Sequence, residues 1–348
     1  MASRRSKTKK AAWLVVLALI LISVVALVFP TWTPGIEGER SISTLEQIEI
    51  NGSKHRIMIR GHDRDNPVII FVHGGPGSSE IAYAASFQNL WEQHFTVVNY
   101  DQRASGASYH FFENYDDLSS KVLVEDLLAI TDHVSERLGQ DKVILIGHSY
   151  GTYVAAQAAQ QAPEKYTAYI GIGQLGNATE SEIDALEYVI NEARRVGDEG
   201  DVQHLEQMSE EIRKGTALTP RSYVTKYGGA SSSGEMPDGN VFDMIMGSEY
   251  NLLDIIRYYV GILSHQQVLL DEVFDTPLST VVTELDLPVY FVMGKYDYMT
   301  SSAAARTYFD QLNAKQKQFI AYENSAHFPH IEEKYRFSEW MITTFAEN

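Results

Sequence analysis

The sequence predicts an α/β fold, a mostly parallel sheet with flanking helices and a helical cap inserted into it. Short apolar segments alternate with longer helical patterns along most of the chain. Several of these segments are apolar without alternation, as strands covered on both faces should be. More than a hundred residues then separate the fifth such segment from the sixth, too many for one crossover.

The strand candidates, in order, are His55–Arg60, Pro67–Val72, Phe95–Tyr100, Lys142–Gly147, Tyr169–Gly173, Pro288–Gly294 and Lys317–Glu323. In the long gap, Glu180–Val196 and Asp201–Lys214 have the spacing of amphipathic, strongly acidic helices. Gly228–Gly239 has the composition of a flexible loop, and Asn251–Gly261 resumes helical spacing. The cap is therefore expected over about residues 177–283, within a body spanning 41–348.

The 348 residues are 44% hydrophobic and 21% charged, enough to bury a sizeable core. There is no cysteine, which excludes disulfides, a thiolate nucleophile and a cysteine-based metal site. The net charge of -18 argues against nucleic acid as a partner, and an acidic cap would attract cationic or free-amine substrates. Arg4, Arg5, Lys7, Lys9 and Lys10 precede the uncharged run Ala11–Phe29. A helix of that length reaches about 28 Å, and no small-x-small cleavage site adjoins it. The expectation is a basic cytoplasmic tail over residues 1–10 and a single-pass anchor over 11–29, with Trp13 and Trp32 near its ends. A linker over 30–40 would follow, leading to a body outside the cell membrane.

The chemistry concentrates in four places. Gly147-His148-Ser149-Tyr150-Gly151 follows a strand and precedes the alanine-rich helical stretch Thr152–Gln161, the setting of a nucleophile elbow. The glycine-rich loop Phe71–Ser79 follows the strand Pro67–Val72 and can present main-chain N–H groups to an oxyanion. Pro76 has no N–H, so Gly75 is the expected donor, paired with the N–H of Tyr150. A serine needs a base and the base a carboxylate. Asp297 follows one predicted strand and His327 the next, in the order Ser, Asp, His. His330 is a rival base, read as structural because it lies nearer the following Glu-rich helix start. His73 and His148 are read as local packing or hydrogen-bonding residues.

These residues resemble α/β-hydrolases of the prolyl iminopeptidase type. The resemblance rests on HGGPG (73–77), DQRASGAS (101–108), GHSYGT (147–152), GKYD (294–297) and SAHFPHIEE (325–333), and runs from about Gln47 to the end. It implies an eight-stranded sheet, release of one N-terminal residue from small peptides, and no cofactor or metal. Such enzymes resemble one another in holding the substrate's amino group with cap glutamates, or with a glutamate after the catalytic aspartate. Here Tyr298 follows Asp297, Glu249 is the counterpart offered by the cap, and Ala104 stands where a glycine is common.

The resulting expectation is a membrane-anchored serine hydrolase acting on small peptides, with Ser149, Asp297 and His327 catalytic and Gly75 and Tyr150 forming the oxyanion hole. A carboxylesterase acting on small acyl esters is the alternative within that chemistry. A non-catalytic binding module on the same fold is the reading outside it.

Overall fold

The eight strands of the sheet are β1 (Ile42–Ile50), β2 (Ser53–Gly61), β3 (Val68–Val72), β4 (Thr96–Tyr100), β5 (Val143–His148), β6 (Tyr166–Ile172), β7 (Val289–Gly294) and β8 (Lys317–Tyr322). They belong to a computed structural model that describes residues 13–18, 21, 24, 25, 27–232 and 241–346. Their spatial order is β1-β2-β4-β3-β5-β6-β7-β8. β2 pairs antiparallel with both β1 and β4, and every other neighbouring pair is parallel. The chain reverses its direction of travel across the sheet between β3 and β5. In such sheets the crevice outside the carboxyl ends at that point takes the ligand.

Seven of these strands coincide with predicted segments, and β1 is the addition. Ile50 pairs with Ser53 across Asn51-Gly52, whose φ angles are +49° and +76°. Two central residues at positive φ make a hairpin turn that matches the twist of the strands it joins.

Both faces of the sheet are covered. Val68, Ile70 and Val72 of β3 pack with Leu127 and Val134 of α1 (Ser120–Leu138) and Val154 of α2 (Gly151–Gln161). Ile69 and Phe71 enter the opposite cluster with Phe87, Trp91, Phe337 and Met341. Alternate residues thus bury on opposite sides, which is why the strand is apolar throughout. At about 1.5–3 kcal/mol for each large apolar side chain buried, these two layers supply the main stabilisation. α1 begins where the Ser119 hydroxyl accepts from the Val122 N–H and ends at Gly139 in the left-handed conformation, φ +65°.

Between β6 and β7 runs the helical insertion: α3 (Ala178–Val196), α4 (Glu199–Arg213), short turns at Arg221–Lys226 and Val241–Met246, then α5 (Leu252–His265), α6 (Gln267–Asp275) and Leu278–Val281. Ala185, Leu186, Val189, Leu205, Ile212 and Val224 give it a small core of its own. An Asn251–Asp254 capping box starts α5. Two further helices, α7 (Ser302–Gln311) and α8 (Lys334–Phe345), complete the layers flanking the sheet. Of the expected flexible loop over 228–239, residues 233–239 lie outside the described ones.

The single-pass anchor is corrected. Residues 1–12, 19, 20, 22, 23 and 26 lie outside the described ones, including the whole basic tail. Among the described residues no helix is long and apolar enough to cross a membrane. A span needs about 20 residues of unbroken helix, whereas apolar composition alone supplied the expectation. The placement of the body outside the cell membrane rested on that anchor and falls with it. After the apolar run the chain lies against the body: Phe29 O accepts from Asn251 Nδ2 (3.0 Å), Trp32 N donates to Ser248 O (3.0 Å), and Thr31 and Thr33 accept from Arg56 and Arg60.

Arg103 of the DQR segment grips Asp126 of α1 through two bonds of 2.8 Å. Asp126 is 1% exposed, so removing its partner leaves a nearly buried charge. Arg103→Ala is expected to lower the unfolding free energy by about 3 kcal/mol in urea titrations, the scale for breaking a buried pair.

Candidate active site

β5 ends at His148, and the chain turns into α2 through Ser149 and Tyr150 with Ser149 at φ +54°. Such a dihedral is strained for a residue with a side chain, and it holds the hydroxyl clear of the sheet edge. The Ser149 N–H is spent on Ile172 O of β6 (2.9 Å), while Ser149 O accepts from Thr152 N (2.9 Å) and Thr152 Oγ1 (2.7 Å). Only glycine fits beside it: a Cβ on Gly147 would stand 2.8 Å from Gly151 O, and one on Gly151 would collide with the Val72 carbonyl.

The loop after β3 meets this turn directly. A Cβ on Gly74 would lie 2.7 Å from the Ser149 Cβ, and Gly75 takes φ +110°. His73 fixes the loop from behind. Its Nδ1 faces Gly74 O (3.0 Å) and its Nε2 accepts from Gln102 N (3.1 Å), which assigns the proton to Nδ1. Gln102 Nε2 returns a bond to His73 O (2.7 Å). The second brace is Asp101, which is fully buried. Ser79, the Ala107 N–H (2.6 Å) and Tyr250 OH (2.8 and 2.9 Å) all donate to it. Loop 73–79, loop 101–108 and the insertion at Tyr250 therefore share one carboxylate.

Asp297 and His327 leave the carboxyl ends of β7 and β8. Asp297 Oδ1 accepts from the N–H groups of Met299 and Thr300 (2.9 Å each). Its Oδ2 accepts from Thr300 Oγ1 (3.0 Å) and lies 3.0 Å from His327 Nδ1. Asp297 is 1% exposed and His327 3%. The carboxylate is thus locked by local donors, and the imidazole's Nδ1 is turned to it.

Ser149 stands between two pockets. One, of about 160 Å³, has Gly74, Gly75, Glu80, His148, Ser149 and His327 in its wall. The other, of about 80 Å³, is shared by Gly75, Ser149 and Tyr150 with Leu175, Leu270, Phe274 and Met299, and with the charged pair Glu182 and Arg221. Glu182 of α3 binds Arg221 (2.5 and 3.1 Å) and the Thr219 N–H (2.8 Å). The structure thus gathers Ser149, His327, Gly75 and Tyr150 around one crevice, with Asp297 behind His327.

It does not bring Glu249 or Tyr298 into either wall. Glu249 accepts from the Ser248 N–H (3.0 Å), and Tyr298 stacks on Tyr188 with ring centres 3.8 Å apart. Glu80, Glu182 and Arg221 were not singled out from sequence. Glu182 had a signal: it shares a helix face with the buried Ala185, Leu186 and Val189. His330 is fully buried against Phe71, Phe87 and Trp91 and lies in neither pocket wall. Burial, then the adjacent His148 and His327, hold its pKa well below the usual histidine range.

Strand order, elbow and crevice define an α/β-hydrolase fold. Residues 67–201 match the family described as alpha/beta hydrolase fold. The chain is 29% identical to the probable aminopeptidase YbaC of Bacillus subtilis, over 88% of this chain and 97% of that protein. It is 22% identical to the proline iminopeptidase of Saccharolobus solfataricus, covering 81% and 84%. The crystal structure of a proline iminopeptidase-related protein from Thermus thermophilus superposes with a TM-score of 0.59 at 18% identity, over 88% of this chain and 99% of that one. The chain thus has the α/β-hydrolase fold, and its proline iminopeptidase-like relatives support a hydrolase.

The buried braces make stability depend on pH in opposite senses. Burial raises Asp101 from 3.8 to about 6, against the bonds from Ser79, Tyr250 and Ala107 that pull it down. The folded chain keeps a proton there that the unfolded chain releases, so this group's contribution is full below pH 3.8 and lost as pH rises through about 6. Burial lowers His73 to about 4, so its contribution is present above 6.5 and lost as pH falls through 4. In Asp101→Asn only the second dependence remains of the two. Between pH 4 and 6.5 the variant's unfolding free energy is expected to gain about 2 kcal/mol on the wild type in urea titrations. Parallel curves would contradict this.

Proposed function

We propose that this hydrolase is a serine hydrolase whose nucleophile is Ser149, and that it releases an N-terminal residue from small peptides. The reading is carried by one observation: Ser149, held at φ +54° on the elbow, shares a pocket with His327, whose Nδ1 lies 3.0 Å from Asp297. His327, with Nδ1–H on Asp297, keeps Nε2 free to take the serine proton. Ser149 Oγ attacks the acyl carbon, and the N–H groups of Gly75 and Tyr150 meet the tetrahedral oxyanion. His327 then protonates the departing amine, and water, activated by the same imidazole, hydrolyses the acyl-enzyme.

A peptide substrate is supported by the relatives named probable aminopeptidase and proline iminopeptidase, and by the carboxylate of Glu182 in the second pocket. A cap glutamate there would face the ammonium group of an N-terminal residue whose carbonyl lies at Ser149. A small acyl ester is the second reading, favoured by the fact that Arg221 and Thr219 already engage Glu182.

Ser149→Ala is expected to lower kcat at least about 10³-fold on proline β-naphthylamide or on a short p-nitrophenyl ester, whichever the enzyme prefers. Retention of most of the activity would overturn the nucleophile. The substrate class is decided by comparing the two: amino acid arylamides should exceed esters in kcat/KM, and N-acetylated arylamides should be refused. Glu182→Gln should raise KM for the free-amine substrate about 10-fold or more, the scale of a lost charge-assisted bond, and leave the ester's KM nearly unchanged. An equal rise for both would remove Glu182 from amine recognition.

A further inference from the structure

Behind the catalytic crevice, three side chains of metal-binding type converge. Glu80, at the end of the glycine loop, His148, before Ser149, and His330, after β8, each offer a ligand atom, and these atoms lie within 4.8 Å of one another. All three residues are buried, at 3%, 4% and 0% exposure.

Hydrogen bonding makes the cluster unusual. His148 Nε2 lies 3.2 Å from the main-chain oxygen of His327. A carbonyl can only accept, so that nitrogen carries a proton. The other ring nitrogen, Nδ1, lies 3.1 Å from Glu80 Oε1. In a neutral ring Nδ1 is then a lone pair facing a carboxylate lone pair, and a cation must stand between them. A proton would serve those two groups and leave His330 idle. Neither ring nitrogen of His330 has a hydrogen-bond partner among the described residues, although the ring is fully buried and its centre is 4.9 Å from that of His148. A buried polar group without a partner is expensive to keep.

We propose that Glu80, His148 and His330 form a binding site for a divalent transition metal such as zinc. Two imidazoles and one carboxylate with a fourth position open is a recurrent zinc donor set. The His148 Nε2–H on a carbonyl is the outer bond that fixes a liganding imidazole's tautomer. Zinc holds such donors at about 2.0–2.2 Å, so the three would close in by about 1 Å or less on binding. Glu80 and His148 reach the pocket at Ser149, which provides the entry path. The bound ion would tie the glycine loop, the elbow and the loop carrying His327 together. This goes beyond the serine-hydrolase reading and does not depend on it.

The test uses the full-length protein, stripped with EDTA and titrated with cobalt(II) as a spectroscopic stand-in for zinc. The expected result is one ion per chain by elemental analysis, with the visible bands of a four-coordinate cobalt site that zinc displaces. His330→Phe suits the aromatic surroundings of Phe71, Phe87 and Trp91, and Glu80→Gln preserves shape. Either should weaken binding more than about 100-fold, since even an outer-bond change typically costs 10- to 100-fold. Circular dichroism confirms folding, and either folded variant is sufficient. No bound ion in the wild type, or unchanged affinity in a folded variant, would overturn the site.

Discussion

The main chain after β5 touches the main chain after β3, and the arrangement of the crevice follows from that contact. A side chain on Gly151 would collide with the Val72 carbonyl, and one on Gly74 would stand 2.7 Å from the Ser149 Cβ. Two glycine turns can interlock at this distance where two ordinary turns cannot. The contact places the hydroxyl of Ser149 and the backbone of the glycine loop against one another at the sheet's point of reversal. Parallel pairing of β5, β6, β7 and β8 then sets the remaining loops along the same edge, where Asp297 and His327 emerge.

A close approach of two loops needs to be held, and buried polar groups do the holding. His73 and Gln102 exchange bonds between the loops after β3 and β4, and Asp101 collects Ser79, Ala107 and Tyr250. Tyr250 is the point at which the helical insertion is tied to the same carboxylate. Burial opposes ionisation of Asp101, while its three donors favour it. A group so placed acts as a specific brace and a modest liability at once. Its position links the insertion, which shapes the small pocket, to the loop that carries Gly75.

Much of this was legible because each signal had one local cause. β3 and β5 are apolar throughout because both faces are covered, and glycines flank Ser149 because main chains touch there. β1 escaped notice because Glu46, Gln47 and Glu49 dilute an edge strand whose faces are only partly buried. The Asn51-Gly52 turn was its available signal. Glu249 was favoured by motif similarity, but its carboxylate turns to its own neighbour's N–H. Glu182 was hidden among the solvated acids of α3, although its position on the apolar face distinguishes it. The anchor was an inference of another kind, from an uncharged run that records composition, and among the described residues no helix is long and apolar enough to cross a membrane. The contact of Tyr250 with Asp101 joins residues 149 positions apart and had no signal in spacing at all.

The central claim is that Ser149 is displayed and activated in the folded crevice. Mass spectrometry of the protein after a fluorophosphonate probe tests it most directly. A single adduct is expected, on the peptide containing Ser149, formed by the native protein and absent after heat denaturation. No adduct on the native protein, or an adduct on another residue, would contradict it.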